Sequence, residues 1–199
     1  MDSAKAELIG LLCAEGYYGS YNLRWIEFNK KRNKSYFRNG VKSWIGFTNK
    51  NDLLFKHFIT LLNKIYNYKG AHAGKYQLRI LKKGIIIDLL EYTNYGSMKW
   101  KVPDRIKKSN NKIKIAFIRG LYEGDGTKIY YDKYNYPRIG FHMVNYKGLL
   151  DIQKMLTKLN IKSTLSTHLE QPPRQRSTRL YMYGEHAHKF LKLITPKFK

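Results

Sequence analysis

The sequence predicts an α+β protein built from two similar halves, and three observations carry that reading. A nine-residue segment, Leu8-Ile9-Gly10-Leu11-Leu12-Cys13-Ala14-Glu15-Gly16, returns in altered form as Ile118-Arg119-Gly120-Leu121-Tyr122-Glu123-Gly124-Asp125-Gly126. The same order of strand-like and helix-like stretches follows each copy. The strand-like stretches set one apolar face against one basic, tyrosine-bearing face, which suits a sheet packed on helices with its other side open to a ligand.

Both copies read apolar-x-Gly-Leu-apolar-x-small-acid-Gly, so Glu15 and Asp125 are matched acids. Gly10 and Ala14, like Gly120 and Gly124, stand four apart and fall on one helix face. Small residues there permit close backbone approach. Two helices packed along those faces would end together, with the two carboxylates side by side. The glycine after each acid suits a helix C-terminus.

In the first half, Tyr21 to Phe28 and Trp44 to Phe47 read as strands, with Asn29-Lys30-Lys31-Arg32-Asn33-Lys34-Ser35 as a basic loop between them. Leu54, Phe58, Leu61, Leu62 and Ile65 then recur at helical spacing. Lys75 to Ile80 alternates, with Lys75, Gln77 and Arg79 on one face and Tyr76, Leu78 and Ile80 on the other. A short apolar helix, Ile85 to Leu90, follows. The stretch from Lys99 to Ile115, with Pro103 and Ser109-Asn110-Asn111, reads as a linker between halves at 1–98 and 116–199.

The second half repeats the order. Ile139, Phe141 and Met143 alternate with Arg138 and His142. Leu149, Ile152, Met155, Leu156 and Leu159 mark a helix. Thr178 to Tyr183 sets Arg179, Tyr181 and Tyr183 against Leu180 and Met182, and His188 to Ile194 closes as an apolar helix. Two such sheets side by side would form one long basic saddle.

A chain of 199 residues with 43% hydrophobic and 15% aromatic residues can bury a real core. Its 38 Lys and Arg against 14 Asp and Glu give a net charge of +24, spread along the chain among 17 tyrosines. Such a field draws polyanions, so nucleic acid is the expected partner. No stretch approaches the roughly 20 apolar residues of a spanning helix, so no membrane partner is expected. The lone Cys13 lies in an apolar run and fits a buried thiol in a reducing compartment. The segment before the first motif is too short and polar for a secretory signal, which points to an intracellular setting.

Acids are scarce, and two adjacent carboxylates at a phosphate-binding surface repel their ligand and each other. A divalent cation resolves both conflicts, because Mg²⁺ takes oxygen ligands from one or two carboxylates, phosphate and water. It can then polarise the phosphate and stabilise the leaving oxygen. Glu123 occupies the place of Cys13, so the halves do not share its charge, and it reads as structural or solvent-facing. His186 and His188 would point apart on a helix, with no Cys cluster or HExxH beside them. The chain holds no Glu-x-Lys or Asp-x-Lys, which speaks against a PD-(D/E)xK nuclease.

The paired segments resemble the LAGLIDADG homing endonucleases in the single-chain form with two motifs. The resemblance covers both motifs, the element order and the linker, where Trp100-Lys101-Val102-Pro103 and Ala116-Phe117-Ile118-Arg119-Gly120-Leu121 are similar to what precedes the family's second motif. It implies two pseudo-symmetric αββαββα halves with saddle-shaped antiparallel sheets and the motif helices packed at the interface. It also implies a monomer that makes a metal-dependent double-strand break, with short 3′ overhangs, at a long asymmetric DNA site. Glu15 and Asp125 would hold Mg²⁺, with Mn²⁺ able to substitute; whether the backbone at position 14 adds a ligand stays open.

The family's supporting residues map onto Asn49 and Lys50 after the first sheet's apolar strand and onto Lys128 after the second motif. Their expected work is to orient water and offset charge on phosphate. The position of Lys128 falls on Tyr18 in the first half, and that of Asn49 falls on Val144 or Asn145 in the second. DNA contacts are expected from Arg24, Lys30, Lys31, Arg32 and Lys34 in the first hairpin, and from Lys75, Gln77 and Arg79. In the second half they are expected from Arg138 and His142, from Arg174 and Arg176, and from Arg179 and Tyr181. The alternatives are an intron RNA-binding maturase and a catalytically inactive DNA-binding protein of the same fold.

Overall fold

A computed structural model describes residues 1–133, 135–168 and 177–198. The first half runs α1 (Ser3–Glu15), β1 (Gly16–Asn29), β2 (Lys34–Thr48), α2 (Asp52–Tyr66), β3 (Ala71–Gly74), β4 (Gln77–Ile80) and α3 (Lys83–Leu90). A single turn, α4 (Asp104–Lys107), lies in the connection. The second half runs α5 (Asn111–Asp125), β5 (Tyr130–Tyr131), β6 (Pro137–Met143), α6 (Tyr146–Lys158), β7 (Thr164–His168), β8 (Ser177–Tyr183) and α7 (Gly184–Ile194). The order αββαββα therefore occurs twice. The antiparallel sheets share one topology as well, β1-β2-β4-β3 in the first and β5-β6-β8-β7 in the second.

Local chemistry sets the helix starts. Asp2 accepts from Lys5 N, Asn51 from Leu53 N and Leu54 N, Asn110 from Ile113 N, and Asn145 from Gly148 N. Each satisfies amide groups that the first turn leaves without a partner. Helix α1 buries the whole run from Ala6 to Cys13, Glu7 included, as expected of a helix at the centre of a core. Buried Ile45, Phe47, Leu78 and Ile80 in the first sheet and Ile139, Phe141, Leu180 and Met182 in the second close the core beneath it.

Several expectations are corrected. The first two strands form one hairpin of fourteen consecutive pairs, from Gly16↔Phe47 to Asn29↔Lys34. Lys34 and Ser35 thus belong to β2, not to the loop. The edge strands β3 and β7 escape a reading by alternation because they are only four and five residues long, β3 built of small residues around His72 and β7 mostly polar. Helix α5 starts inside the stretch expected to be linker, and α7 starts at Gly184, so His186 and His188 both lie within it. Gly16 and Gly126 sit in extended backbone at φ −92° and −69°, not in the left-handed region. Glycine is required there for room: a Cβ would meet Leu12 O at 2.3 Å and the Tyr122 ring at 2.2 Å.

Candidate active site and nucleic-acid interface

The motif helices touch backbone to backbone. A Cβ on Gly10 would lie 2.2 Å from Phe117 O, and one on Gly120 would lie 2.1 Å from Glu7 O. Further along, a Cβ on Gly124 would meet Ala14 Cβ at 2.4 Å and Glu15 Cγ at 3.1 Å. The small residues thus bring α1 and α5 together up to their last turns. Glu15 and Asp125 line one cleft of about 310 Å³, together with Ala14, Trp100, His142 and Val144. Two carboxylates facing shared space supply hard oxygen donors, a set that suits Mg²⁺ or Mn²⁺ completed by phosphate and water. Among the described residues no group of three or more His, Cys, Asp and Glu is placed to hold a metal.

Asn49 stands where the resemblance places a supporting polar group. Its Nδ2 donates to Glu15 Oε1 at 2.8 Å, and its Oδ1 accepts from Asn51 N at 2.8 Å. The amide is held at both ends, so its donor is fixed on the acid. Lys50 follows it and is exposed, as is Lys128 beyond the second motif. Tyr18, at the place matching Lys128, pairs with Ile45.

The register shows which residue stands at the place of Asn49 in the second half. Gly16 pairs with Phe47, and Gly126 bridges to Phe141, so Phe47 and Phe141 are counterparts. Counting on from them, Asn49 matches Met143, Lys50 matches Val144, and Asn145 matches Asn51. The caps agree, because Asn51 and Asn145 each open the following helix. Asn145 is only 5% exposed; it donates to Trp100 O at 2.7 Å and accepts from Gly148 N at 3.0 Å. The expectation that Val144 or Asn145 matches Asn49 is therefore corrected: Asn145 holds a helix start and a connecting strand, and Met143 brings no polar group.

The open faces of the sheets carry most of the expected DNA contacts. Gln77 and Arg79 pair with Thr48 and Gly46, opposite in parity to buried Leu78 and Ile80. The Arg79 guanidinium lies 4.9 Å from the Trp44 ring centroid, and Gln77 Nε2 donates to Tyr17 OH. Arg138 lies 4.0 Å from the Tyr181 ring centroid, on the face it shares with His142 and Arg179. Lys75 sits in the β3–β4 turn, 5.0 Å from the Tyr76 ring centroid. Lys30, Lys31, Arg32 and Lys34 are exposed at the hairpin tip. Arg174 and Arg176 lie outside the described residues.

Arg24 departs from this arrangement. It pairs with Asn39 and shares the parity of Gly16, Tyr18, Ile45 and Phe47, so it leaves the hairpin on the helix side. Fourteen unbroken pairs fix that parity, which the short strand read from the sequence did not. The sequence reading also missed that Tyr17 and Trp44 hold Gln77 and Arg79 in the first sheet, a pairing of residues distant in the chain. Glu123, as expected, is structural: 2% exposed, it accepts from Lys197 N at 2.5 Å and Phe198 N at 3.1 Å.

Residues 112–195 match the family model described as LAGLIDADG-like domain. A mesophilic variant of the homing endonuclease I-DmoI is similar along the whole chain, with 24% identity, coverage of 99% of this chain and 98% of that one, and a TM-score of 0.64. I-DmoI in complex with DNA and Ca aligns at 24% identity over 96% of this chain and 88% of that one, with a TM-score of 0.63. The meganuclease I-SmaMI bound to uncleavable DNA aligns at 11% identity over 97% and 85%, with a TM-score of 0.55. Among curated proteins, the ribonucleoside-diphosphate reductase NrdEB subunit alpha of Bacillus subtilis (strain 168) is 25% identical over 115 residues, 57% of this chain. The match in Bacillus phage SPbeta has the same extent. The chain spans only 10% of the length of these curated relatives.

Proposed function

We propose that this chain, which carries a LAGLIDADG-like domain and folds along its length as the single-chain homing endonucleases do, is a site-specific, metal-dependent DNA endonuclease. One observation carries the reading. Two matched acids, Glu15 and Asp125, end two helices in backbone contact and line one cleft, which His142 of the second sheet's basic face also lines, while Asn49 just beyond β2 donates to Glu15. Acids in that place make sense only with a cation between them and phosphate.

Mg²⁺ is the metal proposed, with Mn²⁺ able to substitute, and Glu15 and Asp125 are the residues that would hold it. Bound there, it supplies Lewis-acid polarisation of the scissile phosphate. Asn49 orients the Glu15 carboxylate, and Lys50 and Lys128 offset charge on the phosphates. The sheet faces set register through phosphate contacts and read base edges with Gln and Arg. One chain supplies both halves, so the proposed unit is a monomer acting on a long asymmetric site. The proposed product is a double-strand break with short 3′ overhangs.

The test is to incubate the wild type and Glu15→Gln/Asp125→Asn with a library of intron-junction DNA and Mg²⁺. The wild type should cut a small set of sequences, and the double variant should bind them without cutting. A wild type that cuts nothing while binding intron RNA tightly would replace the nuclease with a maturase. A double variant that still cuts would move the site elsewhere.

A further inference from the structure

The two sheets can be aligned residue by residue through their registers, and the alignment names the groups that differ between the halves. Phe47 pairs with Leu78 and its counterpart Phe141 with Leu180, so Leu78 and Leu180 are equivalent. One step back, Gln77 (paired with Thr48) is then equivalent to Arg179 (paired with His142). One step on, Arg79 (paired with Gly46) is equivalent to Tyr181 (paired with Gly140). The buried flanks agree, since Leu78, Ile80, Leu180 and Met182 are all at most 1% exposed. Gln77 and Arg179 therefore hold the same place on two similar surfaces, with different side chains.

Both side chains are prepared for a ligand. Gln77 donates one amide hydrogen to Tyr17 OH, which fixes the amide plane and leaves the carbonyl oxygen and the second N–H. That remaining pair matches the N6–H donor and N7 acceptor of adenine. Arg179 carries a buried Nε with no hydrogen-bond partner among the described residues, as does Arg79. The Nε therefore ties the Arg179 side chain to no protein acceptor, and that side chain stands on the basic face it shares with Arg138 and His142. A guanidinium matches the O6 and N7 acceptors of guanine.

We infer that Gln77 and Arg179 read the same step of the two half-sites, counted from the centre of the target, adenine under Gln77 and guanine under Arg179. The inference rests on the DNA-cleaving function proposed above. Specificity at that step is then a chemical difference written onto one shared backbone position. Exchanging the side chain should exchange the base.

The experiment is selection from a randomised duplex library with Ca²⁺ in place of Mg²⁺, so that the acids are neutralised while binding is read, with sequencing of the bound fraction. Wild type, Gln77→Arg and Arg179→Gln are compared after their melting temperatures are matched. The wild type should enrich A·T at one step and G·C at the step equally far from the centre on the other side. Gln77→Arg should turn the first to G·C, and Arg179→Gln the second to A·T, each by about tenfold. Variants that bind with unchanged preference, or that alter steps at unequal distances from the centre, overturn the assignment. A wild type that enriches no duplex at all overturns the nuclease reading on which it stands.

Discussion

The side-chain amide of Asn49 donates to the carboxylate of Glu15 at 2.8 Å, joining the end of a strand to the end of the first motif helix. The register places Met143 where Asn49 stands and commits Asn145 to a helix cap, so the Asn49 amide serves the acid of the first half. Asn49→Ala should thus impair the catalytic step supported by Glu15 and leave that of Asp125 intact. Groups that orient a metal-binding carboxylate are worth about 10- to 100-fold in activity. On supercoiled plasmid carrying one target, the variant should accumulate nicked circles before linear product. A parallel slowing of both strands would show that Asn49 acts on the whole fold.

Helix contact at the interface makes a second prediction. The nearest atoms to a Cβ at Gly120 are backbone, Glu7 O at 2.1 Å and Leu11 N at 3.0 Å, so swinging a side chain away would not relieve the clash. Gly120→Ala should cost about 1–3 kcal/mol through overpacking, and should lower cleavage with both acids unchanged. Gly84 in α3 is the control, since a Cβ there meets nothing within 4 Å. Gly84→Ala should raise stability by up to about 1 kcal/mol. Urea denaturation of the two variants beside the wild type measures both.

Buried Glu7 links the halves and should make stability depend on acid. Burial alone would raise its carboxyl. The His57 hydrogen bond at 2.8 Å and the charges of His57, Arg119 and Lys197 outweigh that and hold it below the ordinary glutamate value. A carboxyl with a lowered folded-state pKa contributes stability that is complete above the unfolded value and is lost as pH falls through the folded one. Glu7→Gln should cost about 1.5–3 kcal/mol near neutral pH, the range for hydrogen bonds to charged groups. The gap between variant and wild type should narrow as pH drops below the ordinary glutamate range. Denaturation midpoints across that range test it, and a constant gap would assign Glu7 to packing alone.

How much of this was legible in the sequence follows the range of each interaction. The doubled motif carries the helix contact in its own letters, since Gly10, Ala14, Gly120 and Gly124 mark the touching faces without any partner being known. Leu78 and Ile80, and likewise Leu180 and Met182, announce the buried sides by alternation. Asn145 misleads because an Asn at that place is equally consistent with the roles of Asn49 and Asn51, and only cross-strand register separates them. Arg24 misleads for a related reason: its side of the hairpin depends on parity carried from Phe47 through the whole β1–β2 ladder. Partners far apart in sequence, such as Gln77 with Tyr17 or Glu123 with Phe198, leave no local trace.

Glu123 and Asp125 stand two residues apart on α5, and the structure gives them opposite work. Asp125 lines the cleft, whereas Glu123 turns inward to accept from Lys197 N and Phe198 N. Those contacts seat the C-terminal segment, where Phe198 also meets the His57 ring at 5.0 Å and accepts from Asn51 Nδ2 at 3.2 Å. Glu123→Gln puts an amide NH₂ against an N–H donor and removes one charge-assisted acceptor. It should cost about 1–2 kcal/mol of stability. Cleavage by the folded protein should be unchanged, because nothing at the cleft is altered. Asp125→Asn should do the reverse, keeping the melting temperature and losing cleavage of at least one strand. Thermal denaturation and plasmid cleavage run on the same two preparations separate the roles. Loss of cleavage in a fully folded Glu123→Gln protein would show that the seat of the tail reaches the site.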